Sequence, residues 1–214
     1  MSKTTYDAVV IGAGPAGATV ALILARAGWS VAVIEKASFP RRKVCGEFIS
    51  ATSLPLLDEL GLLDEFVRRA GPEVRRVGLF AHDASLAAPM PRSDHRSGTW
   101  GRALGREHLD LLVLQAAVHA GAAVWQPWQA RALRRTESGY VCTISSQQDV
   151  RELASSVIIA AHVAERRTRG DRVRVKLRPN RHFALPAPER DIIMFITVTL
   201  FGSTPELLIS AISW

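Results

Sequence analysis

Gly12-Ala13-Gly14-Pro15-Ala16-Gly17 spells the spacing G-x-G-x-x-G, and an acidic residue, Glu35, follows about 20 residues later. Glycines so spaced suit a diphosphate: one for the turn, one for close approach of the backbone, one for close packing of the helix behind it. The main-chain N–H groups at a helix start have no partner inside the helix and lie at the positive end of its dipole, so an anion is favoured there. Glu35 is placed to accept hydrogen bonds from ribose hydroxyls, and its charge disfavours a ribose carrying a 2′-phosphate. Beyond it, Lys36, Arg41, Arg42 and Lys43 lead to Cys45 and Gly46. Cations there suit phosphate or another anionic part of a ligand, and a solvated loop cluster is the alternative. A thiol among cations has the setting for a lowered pKa, or it is simply a small loop residue.

The elements that must position these groups are legible around them. Asp7 to Ile11 is a short apolar strand ending at the glycines, a helix runs through Thr19 to Ala27 and closes at Gly28, and Val31 to Ile34 is a second apolar strand ending at Glu35. Strand, glycines, helix, strand and acid in that order make a dinucleotide-binding βαβ unit; a glycine-rich turn of another α/β domain with an incidental Glu35 is the competing explanation. Further on, apolar positions 54, 57 and 60 predict a helix stopped by Gly61, followed by an amphipathic piece to Arg69. Val74 to Leu79 alternates like a strand, and 89–101 reads as an irregular exposed connection. Glu107 to Ala120 is strongly helical, with Leu109, Leu112, Val113, Ala116 and Ala117 on one face. Asp110 falls in its first turn and complements the dipole; His108 and His119 read as surface residues. A strand over Ala122 to Trp125, a hairpin of 131–134 with 140–144 about Ser138-Gly139, and an apolar strand over Ala154 to Ala161 follow, with Cys142 as core packing.

Composition bounds the partners. The 214 residues are 48% hydrophobic, enough for a core. The net charge of +7 is local, since residues 1–162 hold 18 basic and 15 acidic side chains while 163–181 hold eight and two, which argues against a nucleic-acid surface. Two cysteines without ligand spacing and scattered histidines point to neither a disulfide framework nor a metal site. The chain enters its first strand at once with no secretory signal pattern, so a cytoplasmic protein without a stable membrane span is expected.

The order GAGPAGA, Glu35, RRKVCGEFIS, a leucine-rich helix, R-x-x-L-D at Arg106 to Asp110 and VIIAA at Val157 to Ala161 resembles the FAD-dependent oxidoreductases of the geranylgeranyl reductase group, relatives of the aromatic-ring hydroxylases and flavin halogenases. The resemblance covers Tyr6 to His162. Its most specific part is R-x-K-x-C-G, matched by Arg41, Lys43, Cys45 and Gly46; the halogenase pattern W-x-W-x-I-P is absent, Trp125 and Trp128 standing three apart. It implies a Rossmann-like three-layer α/β FAD/NAD(P)-binding domain over 1–162, truncated and carrying a small β-hairpin insertion. It also implies FAD held by Gly12, Ala13, Gly14, Pro15, Ala16, Gly17, Glu35, Lys36, Arg42, Gly46 and Arg106, with Arg102 the alternative to Arg106. Cys45 would lie beside the flavin ring as the catalytic candidate. NAD(P)H is the implied electron donor, and the substrate is lipophilic or aromatic.

After His162 the resemblance stops. The family's second flavin fingerprint, a G-D pair opening a small-residue helix, has no match, for arginines follow Gly170-Asp171. The basic stretch Val163 to Arg181 has few apolar residues and is expected to be mobile, and Asp191 to Trp214 reads as one exposed strand plus a short helix, so 163–214 is expected not to form an independent domain or complete a catalytic one. Three functions stay open: a flavoprotein oxidoreductase, impaired by that missing part; a dinucleotide-binding module without turnover; and an NAD-dependent dehydrogenase, against which RRKVCG stands.

Overall fold

The computed structural model describes residues 3–42, 47–81, 84–93, 100–147, 149–161, 193–198 and 207–212. In chain order the elements are β1 (Lys3–Ile11), α1 (Pro15–Arg26), β2 (Val31–Ile34), β3 (Phe48–Ile49), α2 (Leu54–Glu59), α3 (Leu63–Arg69), β4 (Arg76–Ala81), β5 (Ala84–Pro89), β6 (Arg102–Ala103), α4 (Arg106–His119), β7 (Ala123–Trp125), β8 (Gln129–Thr136), β9 (Gly139–Ser145), β10 (Val150–Ala160), β11 (Ile193–Val198) and β12 (Leu207–Ile212). They fall into two compact units: one takes its described residues from Met1–Ser38, Leu114–Val198 and Leu207–Trp214, the other from Phe39–Val113 and Thr199–Glu206.

The first unit is built on one sheet. Its parallel strands lie in the order β7-β2-β1-β10-β11, with β12 antiparallel at the edge. Numbered by appearance in the parallel set, this is the order 3-2-1-4-5 of dinucleotide-binding sheets, which reverses direction at β1. Both faces are covered, which is why β2 reads as an unbroken apolar run: Val31, Ala32, Val33 and Ile34 are all buried. On one face Val9, Ala32 and Ile34 pack with Tyr140, Cys142, Ile144 and Leu153 of the antiparallel meander β8-β9-β10. α1, whose Ala18, Ala21, Leu22 and Ala25 are buried, packs along β1, β2 and β11. The Rossmann-like α/β reading holds, with the predicted hairpin now part of that meander.

β10 is longer than the predicted apolar strand, for its polar first half is paired throughout. β1 runs parallel along one side from Lys3↔Glu152 to Ile11↔Ala160, while the other side is shared by β9 over Val150 to Ser155 and β11 over Ile158 to Ala160. The tail differs from expectation. Leu207–Ile212, expected as a short helix, is a strand paired antiparallel with β11. Its Leu-Leu-Ile-Ser-Ala-Ile run is too short to choose its own conformation, and pairing chooses for it. The basic stretch Val163 to Arg181 lies outside the described residues.

In the second unit β3 pairs with β6, and α2 and α3 pack together through a buried set that includes Leu54, Leu57, Leu62, Leu63 and Phe66. The strand expected over Val74 to Leu79 is β4, and it has a partner the sequence did not announce, β5, inside what read as an irregular stretch. Along this hairpin Val77↔Ala88, Leu79↔Leu86 and Ala81↔Ala84 share a face, and Val77, Leu79 and Leu86 on it are exposed. Among the described residues no helix is long and apolar enough to cross a membrane.

Candidate nucleotide site

The carboxyl end of the first unit's sheet gathers the glycine turn and the acid. Ile11, Ile34, Trp125 and Ala160 stand in one row, and main-chain hydrogen bonds extend the pairing by a residue: Gly12 N–H donates to Ile34 O (2.8 Å), Ala161 N–H to Ile11 O (2.9 Å) and Glu35 N–H to Trp125 O (3.0 Å). Gly12 turns the chain out of β1 with φ +106°, a conformation that a side chain resists. Gly14 then caps α1 in an extended conformation, and Pro15 opens the helix at a position where an N–H would have no intrahelical acceptor. The first intrahelical bond is Ala18 N–H to Gly14 O, 2.9 Å, so the amides of Ala16 and Gly17 are the ones the helix start presents.

The glycines at 14 and 17 differ in what surrounds them. A Cβ on Gly17 would stand 1.8 Å from Gly12 O and 3.1 Å from Ala161 Cβ, so this residue lets α1 press against the strand ends. A Cβ on Gly14 would meet nothing within 4 Å and would project into open space over the turn. This open cradle over Gly14, beside the helix-start amides, has room for a diphosphate.

Glu35 is buried, 4% exposed, and joined to that turn. Its Oε2 accepts from Ala13 N–H and its Oε1 from Ala37 N–H, both at 3.0 Å, and its own carbonyl accepts from Trp128 N–H at 2.9 Å. The carboxylate is thus tied to the glycine turn by one oxygen and to its own loop by the other, a fixed position beside the cradle. Neither bond follows from the motif, because both depend on where the loops close. Beneath the acid, Trp125 and Trp128 meet edge to face at 5.3 Å, and Trp125 Nε1 donates to the Tyr6 hydroxyl (3.3 Å).

The remaining expected site residues fall elsewhere. Lys36 is exposed next to Glu35. In the second unit Arg42 is exposed, and the Arg41 guanidinium lies 5.0 Å from the Phe39 ring centroid. Arg106 opens α4, so Asp110 sits a turn inside the helix instead of in its first turn. There it receives Arg106 side-on, Nε to Oδ1 at 2.7 Å and Nη2 to Oδ2 at 3.1 Å, with Asp110 1% exposed. The pairing explains the R-x-x-L-D spacing: i and i+4 face each other on a helix. Arg102, the alternative, donates to Gly71 O (3.1 Å) and pairs with Glu73 at 3.5 Å, next to Trp100, which Arg75 and Arg92 flank at 4.5 and 4.9 Å. Lys43, Cys45 and Gly46 lie outside the described residues. Cys142 is fully buried, and burial pushes its thiol up to about 11, in keeping with a packing role.

Comparison with known proteins gives a consistent picture. The model of the FAD binding domain matches residues 5–176. The chain is 33% identical over 142 residues to a menaquinone reductase of Mycobacterium tuberculosis, covering 65% of this chain and 33% of that protein. It is 29% identical over 169 residues to digeranylgeranylglycerophospholipid reductase 1 of Methanothermobacter thermautotrophicus, covering 77% of this chain and 40% of that one. A geranylgeranyl bacteriochlorophyll reductase-like protein from Thermoplasma acidophilum superposes with a TM-score of 0.62 at 24% identity, over 75% of this chain and 40% of that one. The chain spans about a third of the length of the first of these relatives.

Proposed function

Because the chain belongs to the FAD binding domain family, we propose that it binds FAD non-covalently and serves as an FAD-dependent oxidoreductase, with NAD(P)H as electron donor and a lipophilic or aromatic substrate. The observation that carries the reading is the buried Glu35 carboxylate fastened to the Ala13 amide beside the open Gly14 cradle. Gly12, Ala13, Gly14, Pro15, Ala16 and Gly17 hold the diphosphate, and Glu35 holds the adenosine ribose. When bound, the flavin supplies the hydride and electron chemistry, and the protein supplies position and charge. Asp110 aligns the Arg106 guanidinium, and Arg106, Arg42 and Lys36 bring positive charge to the cofactor's anionic parts. Gly46 as a further cofactor contact and Cys45 as the catalytic candidate complete the proposed set, both outside the described residues. Support for the substrate class comes from relatives whose names carry lipophilic molecules, a menaquinone and a digeranylgeranylglycerophospholipid.

Titration of FAD followed by visible absorbance and tryptophan quenching tests the binding step. A Glu35→Gln protein keeps the shape and loses the charge, and it should bind about ten- to a hundredfold more weakly, the range for a charge-assisted bond to a ribose hydroxyl of about 1.5–3 kcal/mol. Undiminished affinity would remove Glu35 from the ribose. NAD(P)H oxidation by the flavin-loaded protein, measured separately, distinguishes an oxidoreductase from a binding module without turnover.

A further inference from the structure

The β4-β5 ribbon of the second unit carries apolar side chains that the described residues do not cover. From Arg75 to Phe80 and from Ser85 to Pro89 every residue is exposed, on both faces of the ribbon. Two strands alone are marginal in water, and exposed apolar patches mark contact sites.

The two faces differ. Arg76, Gly78 and Phe80 share one, and a Cβ on Gly78 would stand 2.9 Å from Phe80 Cε2, so the ring already lies over the glycine and screens the backbone there. The other face sets Val77 and Leu79 against Ala88 and Leu86, four apolar side chains and no charge, with Leu79 69% and Leu86 67% exposed. Charge gathers at one end of the ribbon. Arg76 opens β4, and beside it Arg75 and Arg92 flank the Trp100 ring. Glu73 pairs with Arg75 at 2.7 Å and with Arg102 at 3.5 Å. Four arginines, 75, 76, 92 and 102, against this one glutamate leave a balance of +3.

An apolar strip with a cationic end complements a lipid surface that bears anionic headgroups. We propose that the ribbon docks the chain on such a membrane surface, with Val77, Leu79 and Leu86 toward the acyl chains and Arg75, Arg76 and Arg92 among the headgroup phosphates. The ribbon lies flat. Asp83, between the two strands in sequence, disfavours entry tip first, because a carboxylate is costly in hydrocarbon. In the flat arrangement the open strand edges stay at headgroup level, where water satisfies their N–H and C=O groups. A second copy of the chain fits less well, since a ribbon of six-residue strands measures roughly 20 by 10 Å, about a quarter of the roughly 800 Å² that each partner buries in a stable complex. The inference goes beyond the nucleotide reading and stands or falls without it.

The test floats the full chain with vesicles of phosphatidylcholine alone and of phosphatidylcholine mixed with phosphatidylglycerol. The expected result is flotation with the mixed vesicles that weakens as salt is raised. Leu79→Ser and Leu86→Ser should each weaken binding about tenfold, the equivalent of about 1.4 kcal/mol of lost apolar burial. Arg76→Gln should weaken it about fivefold on mixed vesicles only, since one arginine at an anionic surface contributes about 1 kcal/mol. All three variants should melt with wild type, because the replaced side chains are exposed. No flotation with mixed vesicles overturns the proposal, as does equal binding to both kinds of vesicle or full binding by both leucine variants. A dimer in sedimentation that Leu79→Ser disperses, without flotation, overturns it in favour of a second copy. A lowered melting temperature in both leucine variants overturns it too, by assigning the face to the scaffold.

Discussion

Replacing Gly14 and Gly17 with alanine, one at a time, separates folding from binding at a single turn. At Gly17 the added Cβ would lie 1.8 Å from Gly12 O and 3.0 Å from Gly12 C, against an ordinary contact of about 3.5 Å. Both obstacles are main chain and cannot rotate aside, so α1 has to lift from the strand ends by more than about 1 Å; overpacking of this kind costs about 3 kcal/mol or more. For a chain of this size that lowers the melting temperature by at least about 6 °C. At Gly14 the residue is extended, with φ −66°, and its Cβ meets nothing within 4 Å. A gain of about 0.4–1 kcal/mol from a stiffer unfolded chain then offsets a similar loss of N-cap preference, and the ligand-free protein should melt within about 2 °C of wild type. Yet the methyl group occupies the cradle, and FAD affinity should fall at least a hundredfold, about 2.7 kcal/mol. Thermal melts without ligand and FAD titrations on both variants supply the readouts. A Gly17→Ala protein as stable as wild type, or a Gly14→Ala protein that binds FAD normally, refutes the division of labour between the two glycines.

Other consequences are as direct. Arg106→Ala strands the Asp110 carboxylate, 1% exposed, without its bidentate partner, and should cost about 3–5 kcal/mol, read in a urea melt; a loss under 1 kcal/mol would mean that Asp110 finds another partner. Cys142 should resist iodoacetamide in the folded protein at neutral pH, being buried with a pKa near 11, whereas Cys45 should react faster and be protected by FAD; peptide mapping after alkylation checks both. The Asp7 carboxylate is held below its ordinary value of 3.8 by the Ser30 N–H and then the Ser30 hydroxyl. Its contribution is therefore present above that value and lost as pH falls through the lower, folded one. Because the group is exposed, Asp7→Asn should cost less than about 1 kcal/mol at pH 7, and that cost should shrink in thermal melts as the pH is lowered below 3.8.

What the sequence disclosed followed from how local each signal was. The glycine turn, α1 and Glu35 are specified within a stretch whose own residues set its backbone, and the fold keeps them where the spacing puts them. β5 was missed because Ala84 to Pro89 is small and weakly patterned and pairs through its backbone with β4. The tail was misread for a similar reason, since Leu207–Ile212 takes its conformation from β11. At the site, the motif announced an acid but not its two amide donors, which depend on where the loops close. The Arg106–Asp110 pair was within reach, for a cation and an acid four apart on a helix are neighbours.

The pairing of β1 with β10 sets the order in which this protein comes into being. Residue 3 finds residue 152, and Ile11 finds Ala160, so the first strand made waits for most of the chain before its sheet can close. Loop closure over such a span adds only about 0.6 kcal/mol per doubling of length, but partners this distant place folding toward the slow, millisecond-to-second end of the range. Ala161, the wall against which Gly17 packs, arrives with the same late strand. During synthesis the βαβ unit is therefore present long before its cradle has a back, and a nucleotide grips only the finished sheet. A ligand bound there would act as a latch on this late step of folding, adding RT ln(1 + [L]/Kd) to the stability of a chain whose β1 and β10 have already paired.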